Sequence, residues 1–255
     1  MSISIIIPTK NEQEYLPSLL NDLKSQTLQA DEIIISDKST DQTRDIAKSF
    51  GCKVVDGDDK GRIGRSRNKG AEIARSNILL YLDADNTLPD KDFLKNFQHE
   101  FESRNLDLCT FYIMPLEFSL IALFAYGVIN IQKFIGSILK QPIDEIETAM
   151  AIKKKTLEKC GGFDNNVKMS EGQILMSKAV KMGYSYSPLP IWVTNSPRRM
   201  INISFKMIWN TIVFNISKII NPNNIQETRE KYGDVYWEVN YENTNQTKAT
   251  PTKTI

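Results

Sequence analysis

The chain has 255 residues, a formal net charge of +1 at pH 7, and 41% apolar and 25% charged residues. That is ordinary globular composition, enough for one large α/β domain or two small ones, and the near-neutral balance gives no overall basic field for nucleic acid. Three cysteines (Cys52, Cys109, Cys160) lack metal-ligand spacing and are expected as reduced core residues. No charged leader precedes the first apolar stretch, so a cytoplasmic chain without a secretory signal is expected.

Ser4-Ile5-Ile6-Ile7 reads as a first strand that Pro8 should end, because proline cannot donate to a ladder. Leu16, Leu19, Leu20 and Leu23 then recur at helical spacing, and Glu32-Ile33-Ile34-Ile35-Ser36 gives a second strand ending at Asp37. A short third strand is expected over Lys53-Val54-Val55, and a fourth over residues 78–82. Strands alternating with helices indicate βαβ units, hence a mostly parallel, Rossmann-like sheet whose strand ends share one edge. No Gly-x-Gly-x-x-Gly follows the first strand and no Walker pattern occurs, so a phosphate would have to be held some other way.

The fourth strand runs straight into Asp83-Ala84-Asp85. Two carboxylates one residue apart at a strand end suit a hard divalent cation, which typically bridges one or two acids to substrate phosphates. An ordinary Asp/Asn/Pro turn is the competing reading. Upstream, residues 60–69 carry five basic side chains. A helical wheel places Arg62, Arg65 and Lys69 on a solvated face and Arg67 among Ile63, Ala71 and Ala74, where an unpaired charge would be costly. Arg67 therefore needs an anionic partner, either a strand-end carboxylate or a bound nucleotide.

Phe93, Phe97 and Phe101 mark an amphipathic helix on which His99 is a solvated residue, and residues 108–114 form a fifth strand. Residues 118–131 carry no charge, a length that fits a buried or interfacial helix better than a membrane span and that could roof an acceptor pocket. After a strand at residues 148–152 and a short helix, Ser170-Glu171-Gly172-Gln173 opens another helix. Ser170 with Gln173 has capping-box spacing and Glu171 complements the helix dipole, yet Glu171 also lies at the edge of the buried face, where a carboxylate could act as a general base. Arg198 and Arg199 precede a stripe of Ile201, Phe205, Ile208, Ile212, Ile216 and Ile219, an amphipathic pattern suited either to a bilayer interface or to packing on the domain. The polar tail from about residue 240 cannot build a core.

Taken together, Pro8-Thr9-Lys10-Asn11-Glu12, Ser36-Asp37, Gly64-Arg-Ser-Arg67-Asn68, Asp83-Ala84-Asp85 and Gly161-Gly162-Phe163-Asp164 resemble, in order, the family-2 glycosyltransferases of the GT-A fold. The opening is similar to that of dolichol-phosphate mannose synthases. The resemblance implies a GT-A domain over residues 1–197, an amphipathic helix over 198–222 that could associate peripherally with a membrane surface, and an extension over 223–255. It also implies a nucleoside-diphosphate-sugar donor lined by Pro8, Thr9, Glu12, Asp37, Arg67, Asp83 and Ala84. Asp83 and Asp85 would hold Mg2+ or Mn2+ on the diphosphate, and Arg198 and Arg199 would meet the donor diphosphate or an acceptor phosphate.

Many members carry Glu-Asp where this chain has Glu171-Gly172, the aspartate being their usual candidate base. Three readings follow: Glu171 serves as base, an acceptor already ionised at neutral pH (a lipid phosphate, for instance) needs none, or transfer has been lost and the chain only binds a nucleotide sugar. A nucleotidyltransferase is the nearest rival enzyme, since it too needs metal-binding acids at a parallel sheet. Inverting, metal-dependent transfer to an acceptor that the sequence does not name, and that could be a lipid phosphate or a glycan, is the leading expectation.

Overall fold

The structure is a computed structural model and describes residues 1–58, 62–142, 148–167 and 170–198. Its elements are β1 (Ile3–Thr9), α1 (Leu16–Lys24), β2 (Glu32–Asp37), α2 (Thr43–Ser49), β3 (Lys53–Asp56), α3 (Ile63–Ile73), β4 (Ile78–Leu82), β5 (Asn86–Thr87) and α4 (Phe93–Ser103). They continue as β6 (Leu108–Pro115), α5 (Leu120–Leu139), β7 (Ala149–Lys153), α6 (Lys154–Cys160), α7 (Glu171–Lys181) and β8 (Tyr186–Asn195). Apart from Arg198, the expected amphipathic helix at 198–222, with Arg199, and the extension at 223–255 lie outside the described residues.

One eight-stranded sheet runs in the order β3-β2-β1-β4-β7-β6-β8-β5. The β1–β2, β1–β4, β2–β3 and β6–β8 pairs are parallel, whereas β7 is antiparallel to both β4 and β6, and β5 to β8. Reversal at β7 restores the original direction in β6 and β8. The carboxyl ends of β1, β2, β4, β6 and β8 therefore meet at one edge of the sheet.

Successive residues of the central strands enter opposite cores. Ile5, Ile7, Ile35 and Leu80 pack with Leu16, Leu20, Phe93 and Phe97 on one face, while Ile6, Ile34, Leu79 and Tyr81 pack with Ala71, Phe163 and Met176 on the other. Burial on both sides explains why β1, β2 and β4 read as unbroken apolar runs. Helix α3 comes unusually close: a Cβ added to Gly70 would stand 2.5 Å from Ile6 Cγ2, so only glycine lets the helix seat there.

Four sequence expectations need correction. Pro8 does not end β1; it stays in register with Ser36, and because pairing with β4 stops at Ile6, its missing N–H faces a side with no ladder left to break. Strand β8 was not expected at all, since Pro188 and Pro190 disrupt its pattern. The sheet accepts it through a register shift opposite Phe111 and Tyr112, with β5 pairing only at its far end, leaving the proline stretch an open flank.

Helix α5 extends past Lys133, which is 1% exposed, to a left-handed cap at Lys140. Its start is set by Ser119, whose side chain accepts from the Ala122 amide. Finally, no capping box forms on α7: Ser170 has φ 56° and makes no side-chain cap bond, while Gln173 donates instead to the Pro142 carbonyl.

Candidate functional site

The loops after β1 and β2 form one wall of the shared edge. Asn11, at φ 59°, accepts from the Thr40 amide, Ser39 Oγ accepts from the Asn11 amide, and Thr43 Oγ1 accepts from the Glu12 amide. Beneath them lies Asp37, with no exposed surface. Its Oδ1 accepts from Thr9 Oγ1 at 2.8 Å and from the Ser39 hydroxyl and amide, and its Oδ2 from Arg44 Nε at 3.2 Å. Thr9 and Asp37 are thus brought together as a buried pair that shapes the loops. Ala84, 3% exposed, turns its methyl into the core, so only its backbone can face a ligand.

Two ionic clusters occupy the floor of this edge. In the first, Arg67 is 2% exposed and donates from Nη1 to Glu171 Oε1 at 2.8 Å and from Nη2 to Asp83 Oδ1 at 3.1 Å. The anionic partner required by its wheel position is thus a strand-end carboxylate joined by a second acid from α7. The guanidinium also lies 5.6 Å from the Phe163 ring centre. The Gly161-Gly162-Phe163 turn docks on α3 through Asn68, which donates to the Phe163 carbonyl and accepts from its amide. Gly162, at φ 77°, leaves room for that amide, because a Cβ there would meet Asn68 Oδ1 at 2.9 Å. Beneath the cluster, burial pushes the Tyr81 hydroxyl far above its ordinary value, so it remains neutral.

The second cluster centres on Asp85, 6% exposed. Arg198 donates from Nη2 to both carboxylate oxygens of Glu12 at 2.7 Å, lies 3.2 Å from Asp85 Oδ2 and stacks 4.2 Å over the Tyr15 ring. Asp85 Oδ1 accepts from Asn195 Nδ2 at 2.9 Å. This approach is imposed by β5, whose Asn86 pairs with Asn195 while the Ser196 amide bonds the Asp85 carbonyl. Asn195 and the packing of Arg198 on the Tyr15 ring were not anticipated from sequence. The only signal was the terminal asparagine of a strand that its prolines concealed.

The other basic residues of α3 are not simply solvated. Arg62 donates to the Asn165 carbonyl, Arg65 pairs with Asp58 at 3.3 Å, and Lys69 donates to the Gly57 carbonyl. They tie α3 to its neighbours, leaving Arg67 to serve the cleft edge. His99 is exposed and the three cysteines are free thiols, as expected.

Asp83 and Asp85 present hard oxygen donors two residues apart, and among the described residues no third Asp, Glu, His or Cys joins them in a metal-holding group. That donor set fits Mg2+ or Mn2+ completed by phosphate and water oxygens, and does not fit a closed structural site.

Residues 4–115 match the family described as Glycosyl transferase family 2. A 4,4'-diaponeurosporenoate glycosyltransferase of Staphylococcus haemolyticus is 40% identical over 100 residues, 37% of this chain and 27% of that protein. The chain thus spans about a quarter of the length of the curated relatives it matches. Among solved structures, S. aureus TarS 1-349 in complex with UDP superposes with a TM-score of 0.61 at 19% identity, covering 89% of this chain and 74% of that one. Mannosyltransferase PcManGT from Pyrobaculum calidifontis, in complex with GDP-Man and Mn2+, gives 0.64 at 18% identity over 98% and 76%. Residues 4–115 are therefore similar to glycosyl transferase family 2, and the chain shares the GT-A fold of these structures.

Proposed function

We propose that this chain transfers a sugar from a nucleoside-diphosphate-sugar donor to an acceptor, with inversion. The carrying observation is the convergence of Asp83, Asp85, Glu12, Arg67 and Arg198 at the carboxyl edge of one sheet. Asp83 and Asp85 would hold Mg2+ or Mn2+, which when bound neutralises charge developing on the departing nucleoside diphosphate. Arg198 sits beside the same carboxylate, and its planar fork suits a diphosphate oxygen pair once it leaves Glu12. Arg199 is kept as a second phosphate contact. Thr9, Asp37 and Glu12 order the wall expected to receive the nucleoside, with Pro8 and the Ala84 backbone beside it.

Deprotonating the acceptor is the step for which this chain is least equipped. Glu171 is 7% exposed and already engaged by Arg67, and Gly172 supplies no second acid. An acceptor ionised at neutral pH needs no base, and the S. haemolyticus relative is itself named for a carboxylate. We therefore favour an acidic acceptor, a lipid carboxylate or phosphate.

Helix α5 supports a lipid-borne acceptor. Among the described residues it is the one helix long and apolar enough to cross a membrane. Ala122, Ala125, Tyr126 and Ile129 pack inward, while Leu120, Phe124, Ile131, Phe134 and Ile138 face outward, Leu120 being 74% exposed. Its sole charged residue, Lys133, is buried, so the outward arc carries no charge. We assign this arc to peripheral contact with a lipid surface, alongside the expected contribution of residues 200–220.

The test is a panel of UDP and GDP sugars with Mg2+ or Mn2+, assayed against lipid carboxylates and lipid phosphates in liposomes. Release of nucleoside diphosphate with a glycosylated lipid is expected. Pyrophosphate release would indicate a nucleotidyltransferase. Metal-dependent binding without turnover on any acceptor would indicate a binding protein. Liposome flotation that is unchanged by Phe134→Asp with Ile138→Asp would remove the role of α5.

A further inference from the structure

Asp85 is not merely near the cleft; one of its two oxygens has been assigned by the fold. Asn195 Nδ2 donates to Asp85 Oδ1 and to Asn86 Oδ1, each at 2.9 Å. With both amide hydrogens spent on acceptors, the Asn195 carbonyl needs a donor, and it receives the Tyr126 hydroxyl at 2.9 Å. Asp85 and Asn195 are each 6% exposed, Tyr126 2% and Asn86 0%. In so dry a setting the reverse orientation of the amide would press its oxygen against two other acceptors, which no solvent could relieve. The chain Tyr126–Asn195–Asp85 is therefore directional, and it leaves Oδ2 on the side of Arg198, 3.2 Å away.

We infer that Asn195, held by Tyr126, is a positioning residue that turns Asp85 so that Oδ2 is offered to the divalent cation. The inference rests on the metal reading given above. Asn195 touches neither donor nor cation; it acts through the carboxylate, as groups bonded behind metal ligands do. Tyr126 lies within α5, so the inner face of the helix with the apolar outer arc reaches Asp85 through Asn195.

The test uses the full chain and Mn2+ as probe. Its dissociation constant is measured by calorimetry in the presence of UDP or GDP for wild type, Asn195→Ala and Tyr126→Phe, alongside metal-free nucleotide affinity and melting temperature. Asn195→Ala is expected to weaken Mn2+ binding by about 10–100-fold, and Tyr126→Phe less but in the same direction, with metal-free nucleotide affinity unchanged. A merely structural role would move melting and nucleotide affinity while sparing the metal. Should Asn195→Ala not fold, Tyr126→Phe carries the test, because it removes one hydroxyl and keeps the ring. Wild-type binding of Mn2+ that both variants reproduce overturns this inference alone. Absence of any Mn2+ binding by the wild type overturns the metal reading and this inference with it.

Discussion

The first half of the sheet and the second half are built on different terms. From β1 to β4 the strands are parallel, β1, β2 and β4 are covered on both faces, and the ends of β1 and β2 are knotted together by short polar side chains such as Thr9, Asp37, Ser39 and Thr43. From β6 to β8 directions mix, a register shift accommodates two prolines, and α5 turns an apolar arc outward. The family match at residues 4–115 spans the first half and runs on through β5, α4 and β6, stopping before α5, β7 and β8. Each ionic cluster nevertheless takes members from both: Glu171 completes Arg67–Asp83, while Asn195 and Arg198 complete Asp85. On the proposed reading, the first half supplies the wall for the donor and the second half the side chains that complete both clusters.

Besides the β4–β7 ladder, the most buried ionic link between the halves is Arg67, and cutting it should have the largest effect of any side-chain change considered. Arg67→Met leaves Asp83 and Glu171 facing each other in a buried setting without their shared cation, and breaking such a pair costs about 3–5 kcal/mol. Denaturant titration reads this directly; a loss below about 1 kcal/mol would mean that the two halves are not held together there. Next comes Asp85→Ala, expected to lower donor turnover with Mn2+ by about 10²-fold or more. Metal-free nucleotide affinity should survive, because the loops over Thr9 and Asp37 belong to the first half. Equal loss of both would erase the distinction between wall and cation site.

Arg198→Ala should weaken donor binding by about tenfold or more, as expected when a charge-assisted hydrogen bond worth about 1.5–3 kcal/mol is lost. Arg198→Lys should fall between, since an ammonium keeps the charge but not the fork. Unchanged donor affinity in the alanine variant would leave Arg198 as a partner of the protein's own Glu12 and Asp85, with no part in donor binding.

The smallest effect concerns acid stability of the first half alone. Burial would raise the Glu32 carboxyl, but bonds from Lys53, Ser4 and the Arg75 amide outweigh it and hold it at about 2, below the ordinary 4.5. A depressed carboxyl stabilises the fold fully above its unfolded value and loses that contribution as pH falls from 4.5 towards 2. Glu32→Gln should flatten stability over that window and leave it parallel to wild type above. A difference confined to neutral pH would contradict the assignment.

Much was legible in the residues alone. Apolar periodicity reports burial one position at a time, so β1, β2 and β4, the inward face of α4 and the need of Arg67 for an anion all followed from local pattern. The adjacency of Asp83 and Asp85 is a property of the chain itself. What periodicity does not carry is the identity of a partner far along the chain. Asp85 and Asn195 are separated by 110 positions and Arg67 and Glu171 by 104, and only the return of β8 beside β5 and the docking of α7 on α3 bring them within bonding distance. The same limit concealed β8, whose prolines are tolerable only because one flank of the strand has no neighbour there, and left α5 ambiguous, since whether an apolar helix is covered depends on what packs against it. Composition and spacing thus determined which side chains must be buried or paired; tertiary structure decided with which, because hydrogen bonds and ion pairs depend on distances of a few ångströms that sequence separation does not encode.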